Sequence, residues 1–92
     1  MRLLYDPDVA AEVAQLPPGP RHAIKAALDA LRRHDGDRPP DLDVKRMRHD
    51  GVPHFRIRVG TYRIVYARHE RAHRILKVFH RSEGYGWLER LG

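Results

Sequence analysis

Three arginines at alternating positions are the residues best placed to do chemistry in this chain. In the run F-R-I-R-V-G-T-Y-R-I-V-Y, from Phe55 to Tyr66, apolar and basic residues alternate as far as Val59. Gly60-Thr61 then separates them from a second β-rich run, which is the signal of a two-residue β-hairpin with Gly60 at the φ > 0 position of a type II′ turn. That turn predicts the pairs Val59–Tyr62, Arg58–Arg63, Ile57–Ile64 and Arg56–Val65. Ile57, Val59, Tyr62 and Ile64 then face a core, and Arg56, Arg58 and Arg63 share the opposite face. Like charges directly opposite each other cost a few tenths to about 1 kcal/mol. A bound anion would offset that cost. The alternative is an arginine row that only solvates the wet face of a sheet, and both readings stay open at this point.

Two other patterns invite chemistry. His80 has an unperturbed pKa near 6.5, which makes it a candidate general acid or base. Alternation opposes that role, because if Arg81 faces the arginines then His80 faces the core. His69 to His73 spells H-E-x-x-H, a zinc-protease pattern that requires a helix to bring both histidines to one side. Here it lies in a polar connection flanked by Arg68, Arg71 and Arg74, so no metal site is expected. Gly84-Tyr85-Gly86 lacks the strand–helix context of a phosphate loop and is read as a bend. Trp87 is read as an anchor for the C-terminal segment. Asp6, Asp8, Asp29 and Asp35 are read as caps and solvated helix positions.

The elements that position these residues follow from periodicity. Arg2 to Tyr5 is a short strand. Asp6 is the expected N-cap of a first helix, with Pro7 at its first position and Val9, Val13 and Leu16 on its buried side. Pro17-Pro18 stops it, and Gly19-Pro20 starts a second helix with Ile24, Ala27, Leu28 and Leu31 on one stripe and Arg32, Arg33 and His34 in the last turn. Residues 37 to 43 have loop composition. Val44 to Arg48 is an extended lead-in carrying Lys45, Arg46 and Arg48 around Met47, and His49 to Pro53 is a turn. After the hairpin, Arg68 to Arg74 reads as a connection, Ile75 to His80 as a strand, and Tyr85 to Leu91 as a short terminal helix. The expected class is α+β in the order β-α-α-β-β-β(-α). A helical hairpin packs on one face of a small, mainly antiparallel sheet, and the basic face lies open opposite.

Composition narrows the function classes. At 92 residues the chain is read as one domain with a modest core, so any chemistry belongs on an open face or shallow groove. It has no cysteine, which excludes disulfides and thiolate metal sites and suits a reducing compartment. The start MRLLYDPD lacks a signal-peptide core and no stretch approaches membrane-spanning length, so a soluble, cytoplasmic protein is expected. Residues 1–42 carry six Lys/Arg against seven Asp/Glu, while residues 43–92 carry twelve against five. A basic surplus confined to one half points to nucleic acid or an acidic protein partner.

The run from Arg46 to Tyr85 resembles the RelE/ParE superfamily of bacterial toxins from toxin–antitoxin pairs. The hairpin, the sequence H-R-S-E-G-Y at 80–85, the R-M-R lead-in at 46–48 and the element order carry the resemblance. RelE-like members cut mRNA on the ribosome, and ParE-like members inhibit DNA gyrase. The first branch is favoured because Arg81 and Tyr85 both follow the last strand. That branch implies attack of a ribose 2′-OH on its own 3′-phosphate, without metal or cofactor. Arg63 and Arg81 would stabilise the phosphorane. Arg56 and Arg58, with Lys45, Arg46 and Arg48, would hold flanking phosphates, and Tyr85 would act as a base or stack on a nucleobase. Some ribonuclease members carry lysine where this chain has Arg56 and Arg58. Arginine stays protonated, so the identity of the base stays open between Tyr85 and His80. The implied partners are a cognate antitoxin, in a hetero-oligomer, and the ribosome with its mRNA. A gyrase inhibitor and a catalytically inert basic module that binds RNA or a partner are the alternatives.

Overall fold

A computed structural model describes residues 1–48 and 51–84. Strand β1 (Arg2–Tyr5) leads into helices α1 (Val9–Ala14) and α2 (Pro18–Arg33). Strands β2 (Asp43–Met47), β3 (His54–Val59), β4 (Tyr62–His69) and β5 (Ala72–His80) then run as a meander, and a 3-10 turn (Arg81–Glu83) follows. The sheet order is β1-β5-β4-β3-β2, with β1 parallel to β5 and every other pair antiparallel. This is the expected α+β architecture. The helical hairpin carries the chain from one sheet edge to the other and covers one face as it goes. Part of the expected turn at 49–53 and the expected terminal helix, with Tyr85 and Trp87, lie outside the described residues.

The α2 stripe packs as its spacing predicts. Ile24, Ala27, Leu28 and Leu31 are buried, and with Val9 and Val13 of α1 they meet Phe55, Ile57, Ile64, Tyr66, Ile75 and Val78 of the sheet. Each fully buried aliphatic side chain contributes roughly 1.5–3 kcal/mol, so this one layer supplies the main driving force for folding. Phe55 and Tyr66 stack across β3 and β4 with centroids 5.3 Å apart. The hairpin register is also as predicted, from Val59 opposite Tyr62 to Arg56 opposite Val65. Gly60 has φ 58°, and Glu70 is the one non-glycine with positive φ among the described residues. Thr61 is therefore outside the left-handed region, as a type II′ turn requires. A side chain at position 60 would cost about 1–2 kcal/mol.

Several features differ from the sequence reading, among them the starts of α2 at Pro18 and of β2 at Asp43. Asp6 does not cap α1, which starts at Val9 with Asp8 in the cap position and no side-chain cap bond. The Asp6 carboxylate instead pairs with Arg74 of β5, and its backbone N–H extends the β1–β5 pairing by donating to the Ile75 carbonyl at 2.9 Å. Arg68 to Arg74 is not a long connection, because β4 continues to His69 and β5 starts at Ala72, leaving a two-residue turn at Glu70-Arg71. Backbone pairing carries both strands through polar sequence. Finally, β5 bulges at Leu76, so that Tyr66 pairs with Ile75 while Val65 pairs with Lys77. The bulge puts Ile75 and Val78, three residues apart, on the same core-facing side.

Beyond the bulge β1 has ended, and the buried N–H of Val78 is met by a side chain instead. Glu12 of α1 accepts from Val78 N through Oε1 at 3.1 Å and pairs through Oε2 with Lys77 Nζ at 3.2 Å. Glu12→Ala leaves that N–H without an acceptor and is expected to cost about 1–3 kcal/mol in denaturant unfolding. Glu12→Gln keeps an acceptor and is expected to lose less than half as much.

Candidate functional site

Pairing places Asp43 beside Arg58, Lys45 beside Arg56, and Arg58 beside Arg63. Lys45, Arg56, Arg58 and Arg63 therefore share the face opposite the helices, as the hairpin register requires. Between and beyond them that face is apolar, with Val65, Ala67 and Phe79 buried. The sheet also supplies an anion that the sequence reading placed in a loop. Asp43 lies 3.9 Å from Arg56 Nη1 and 3.7 Å from Arg58 Nε. The Asp43–Arg58 pair is exposed and such a pair contributes about 0–1 kcal/mol, the same size as the Arg58–Arg63 repulsion, whereas the Arg56 side chain is largely buried. Arg56 keeps one unmet need, because its Nη1 is buried and has no hydrogen-bond acceptor.

The other basic residues of the lead-in separate. Arg46 pairs with Phe55, which puts it on the helix side of the edge strand, away from Lys45. Arg48 lies beyond the end of β2 and is exposed. Strand alternation splits neighbours that looked like one cluster in sequence.

Arg63 and Arg81 are both tied to the hairpin turn, the first by its side chain and the second by its backbone. The Arg63 guanidinium donates through Nη1 to the carbonyls of Gly60 at 2.9 Å and Tyr62 at 2.8 Å, which fixes its fork and leaves Nη2 and Nε for a ligand. Arg81 is not part of β5. It opens the 3-10 turn, and its N–H donates to the Thr61 carbonyl at 2.7 Å. The two arginines are thus tied to adjacent residues of one tight turn, and the Arg81 side chain is exposed.

His80 lies on the helix side, opposite Tyr62, as alternation predicts. Its ring meets Tyr62 edge-on at 5.3 Å, and Nδ1 accepts from Ser82 N at 3.2 Å and faces Ser82 Oγ at 2.9 Å. It caps the 3-10 turn. Tyr85 lies outside the described residues.

The H-E-x-x-H pattern dissolves in the hairpin. His69 pairs with Ala72 and is exposed, whereas His73 pairs with Arg68 on the helix side and is fully buried. The two imidazoles lie on opposite faces. His73 belongs instead to a cluster that the sequence reading missed. Asp37, from the loop after α2, accepts through Oδ1 from Arg68 Nη1 at 2.5 Å and from His73 Nε2 at 3.1 Å, while its carbonyl accepts from Tyr66 Oη at 2.5 Å. Burial pushes the Asp37 carboxyl up, but the bonds from Arg68 and His73 together outweigh it and hold it below its ordinary value. Burial also pushes His73 down, more than Asp37 pulls it up. The neutral imidazole with its proton on Nε2 fits, since Nδ1 is buried with no partner. Burial and the nearby Asp37 charge raise the Tyr66 phenol. No signal short of the register of β4 and β5 could have joined residues 37, 66, 68 and 73.

No protein-family model matches this sequence, and no curated protein is significantly similar to it. Solved structures are. A chain of the archaeal RelE–RelB complex from Pyrococcus horikoshii OT3 superposes with TM-score 0.73 at 23% identity, over 90% of this chain and 97% of that one. The RelB–RelE antitoxin–toxin complex from Methanococcus jannaschii gives 0.76 at 23% identity, over 91% and 96%. The toxin–antitoxin complex RelBE2 from Mycobacterium tuberculosis gives 0.57 at 27% identity, over 86% and 95%. The fold is that of the RelE-like toxins.

Proposed function

From a RelE-like toxin fold with a basic cluster on the sheet face opposite its helices, we propose that this protein is the toxin of a toxin–antitoxin pair and a ribosome-dependent mRNA endoribonuclease. The observation that carries this reading is that the Arg63 side chain and the Arg81 backbone are both anchored on the Gly60-Thr61 turn, on a sheet whose pairing sets Lys45, Arg56 and Arg58 on the same face as Arg63. In the proposed reaction the ribose 2′-oxygen attacks its own 3′-phosphorus and the bond to the next nucleotide's 5′-oxygen breaks. The products are a 2′,3′-cyclic phosphate and a free 5′-OH. Charge grows on the non-bridging oxygens; the Arg63 guanidinium, held in place at the turn, stabilises it without reorganising, and the exposed Arg81 guanidinium adds a second cation. Arg56, Arg58 and Lys45 hold neighbouring phosphates, and Tyr85 takes the 2′-OH proton or stacks on a base. The His80 Nδ1 is engaged by Ser82, which leaves only Nε2 for proton transfer.

The ribosome supplies what so small a domain lacks. A shallow face cannot by itself fix the in-line geometry of a flexible RNA, and such orientation is worth much of the barrier. The proposed antitoxin would cover the basic cluster with acidic and apolar residues, matching both the arginines and the apolar floor between them. The test adds the protein to a translation extract and maps mRNA 5′ ends, with gyrase supercoiling measured in parallel. Codon-phased cuts are expected. Loss of supercoiling without cuts would establish the gyrase-directed alternative, and neither effect would leave a binding module.

A further inference from the structure

A concavity opens on the arginine-bearing face at the far end of β4, with a volume of about 350 Å³. Val52, Ala67 and Leu76 line it with apolar surface, and the exposed ring of His69 stands at its edge. Beside them Arg74 Nε donates to Asp6 Oδ1. Asp6 Oδ2 and the Arg74 Nη groups take no part in that bond. Asp6 and Arg74 neutralise each other, so this site differs in kind from the arginine cluster. It is not built to capture a phosphate.

An apolar slot, an imidazole plane and a carboxylate next to a guanidinium are the groups that read an unstacked nucleobase, its ring by stacking and its edge by hydrogen bonds. Guanine fits their order best. Its N1–H and exocyclic N2–H can both donate to the Asp6 carboxylate, while O6 beside them accepts from Arg74. Adenine and cytosine offer one such donor group, and uracil a single ring N–H. Ala67 lies four residues from Arg63 on the same face of β4, about 13 Å at 3.3 Å per residue, within reach of a short extended oligonucleotide. We infer that this concavity is a guanine-recognition subsite for single-stranded RNA held at the arginine cluster. The inference rests on the proposed RNA-cutting function and adds a base preference to it.

Titration of the isotopically labelled protein with GMP, AMP, CMP and UMP, followed by amide chemical shifts, tests the inference without ribosomes. GMP is expected to shift Asp6, Ala67, His69 and Arg74 and to bind about tenfold more tightly than the other three. Asp6→Asn should bring GMP down to their level, and His69→Ala should weaken all four alike. Equal affinity for the four nucleotides, or shifts confined to residues 60–63 and 81, would overturn it. The two readings fail separately. A protein that cuts mRNA while GMP leaves this concavity untouched removes the subsite alone, and one that binds GMP here yet cuts nothing removes the reaction alone.

Discussion

Replacing Arg63 and Arg81 together with alanine is expected to lower mRNA cleavage in a translation extract by at least about a thousandfold. Loss of a single donor to a developing oxyanion commonly costs about 10²–10³ in rate, and in the proposed reaction two donors act on one phosphoryl group. The fold should survive, because the Arg81 contact to the turn is made by its backbone N–H and the Arg63 side chain donates only to turn carbonyls near the surface. An unchanged melting temperature with lost cleavage is therefore the expected pair of results. Arg63→Lys separates charge from shape, since lysine keeps the cation and loses the Nη2 and Nε donors that the planar fork holds out while Nη1 is bound to the turn. Undiminished cleavage by the double alanine variant would refute the assignment of both residues.

The second large effect is on stability. Asp37→Ala strips the acceptor from a buried imidazole and from Arg68, and is expected to cost about 3 kcal/mol in denaturant unfolding. Asp37→Asn retains an oxygen and should cost less. The same cluster sets the pH dependence. The folded pKa of His73 lies below its ordinary 6.5, so as pH falls below that value the unfolded chain takes up a proton that the folded chain refuses, and stability declines until the folded pKa is passed. Asp37 is also lowered, from 3.8. Its stabilisation is full above that value and is lost as pH falls further, through its folded pKa. Both contributions run the same way, giving a protein that weakens in acid in two stages. Unfolding free energy measured from pH 7 to about pH 2 checks this, and His73→Gln should flatten the first stage only.

Much of this architecture is legible because local signals and tertiary packing agree. The Gly60-Thr61 turn fixes register by itself, and register assigns Arg56, Arg58 and Arg63 to one face without further information. The α2 stripe likewise names its own buried residues. What stays hidden is whatever depends on a distant partner. Asp6 looks like a cap until Arg74 claims it. Residues 68 to 74 look like a loop because their polarity is visible and their backbone pairing is not. Lys45 and Arg46 look like one cluster until edge-strand alternation sends them to different faces. Asp37 is an unremarked loop residue until the sheet brings Arg68 and His73 to it. The bulge at Leu76 leaves no local mark, since it is a mismatch between two strands rather than a property of either one.

Asp43 bears on how tightly this face would grip the proposed RNA strand as ionic strength changes. Each phosphate neutralised by a protein cation frees condensed counterions, and the logarithm of the binding constant falls with the logarithm of salt in proportion to their number. Because Asp43 stays beside Arg56 and Arg58, those two cations present less than two full charges to an incoming strand. The cluster therefore couples to salt more weakly than a tally of its arginines would suggest. Its hold on a strand relies correspondingly more on the fixed geometry at the hairpin turn, which added electrolyte does not dissolve.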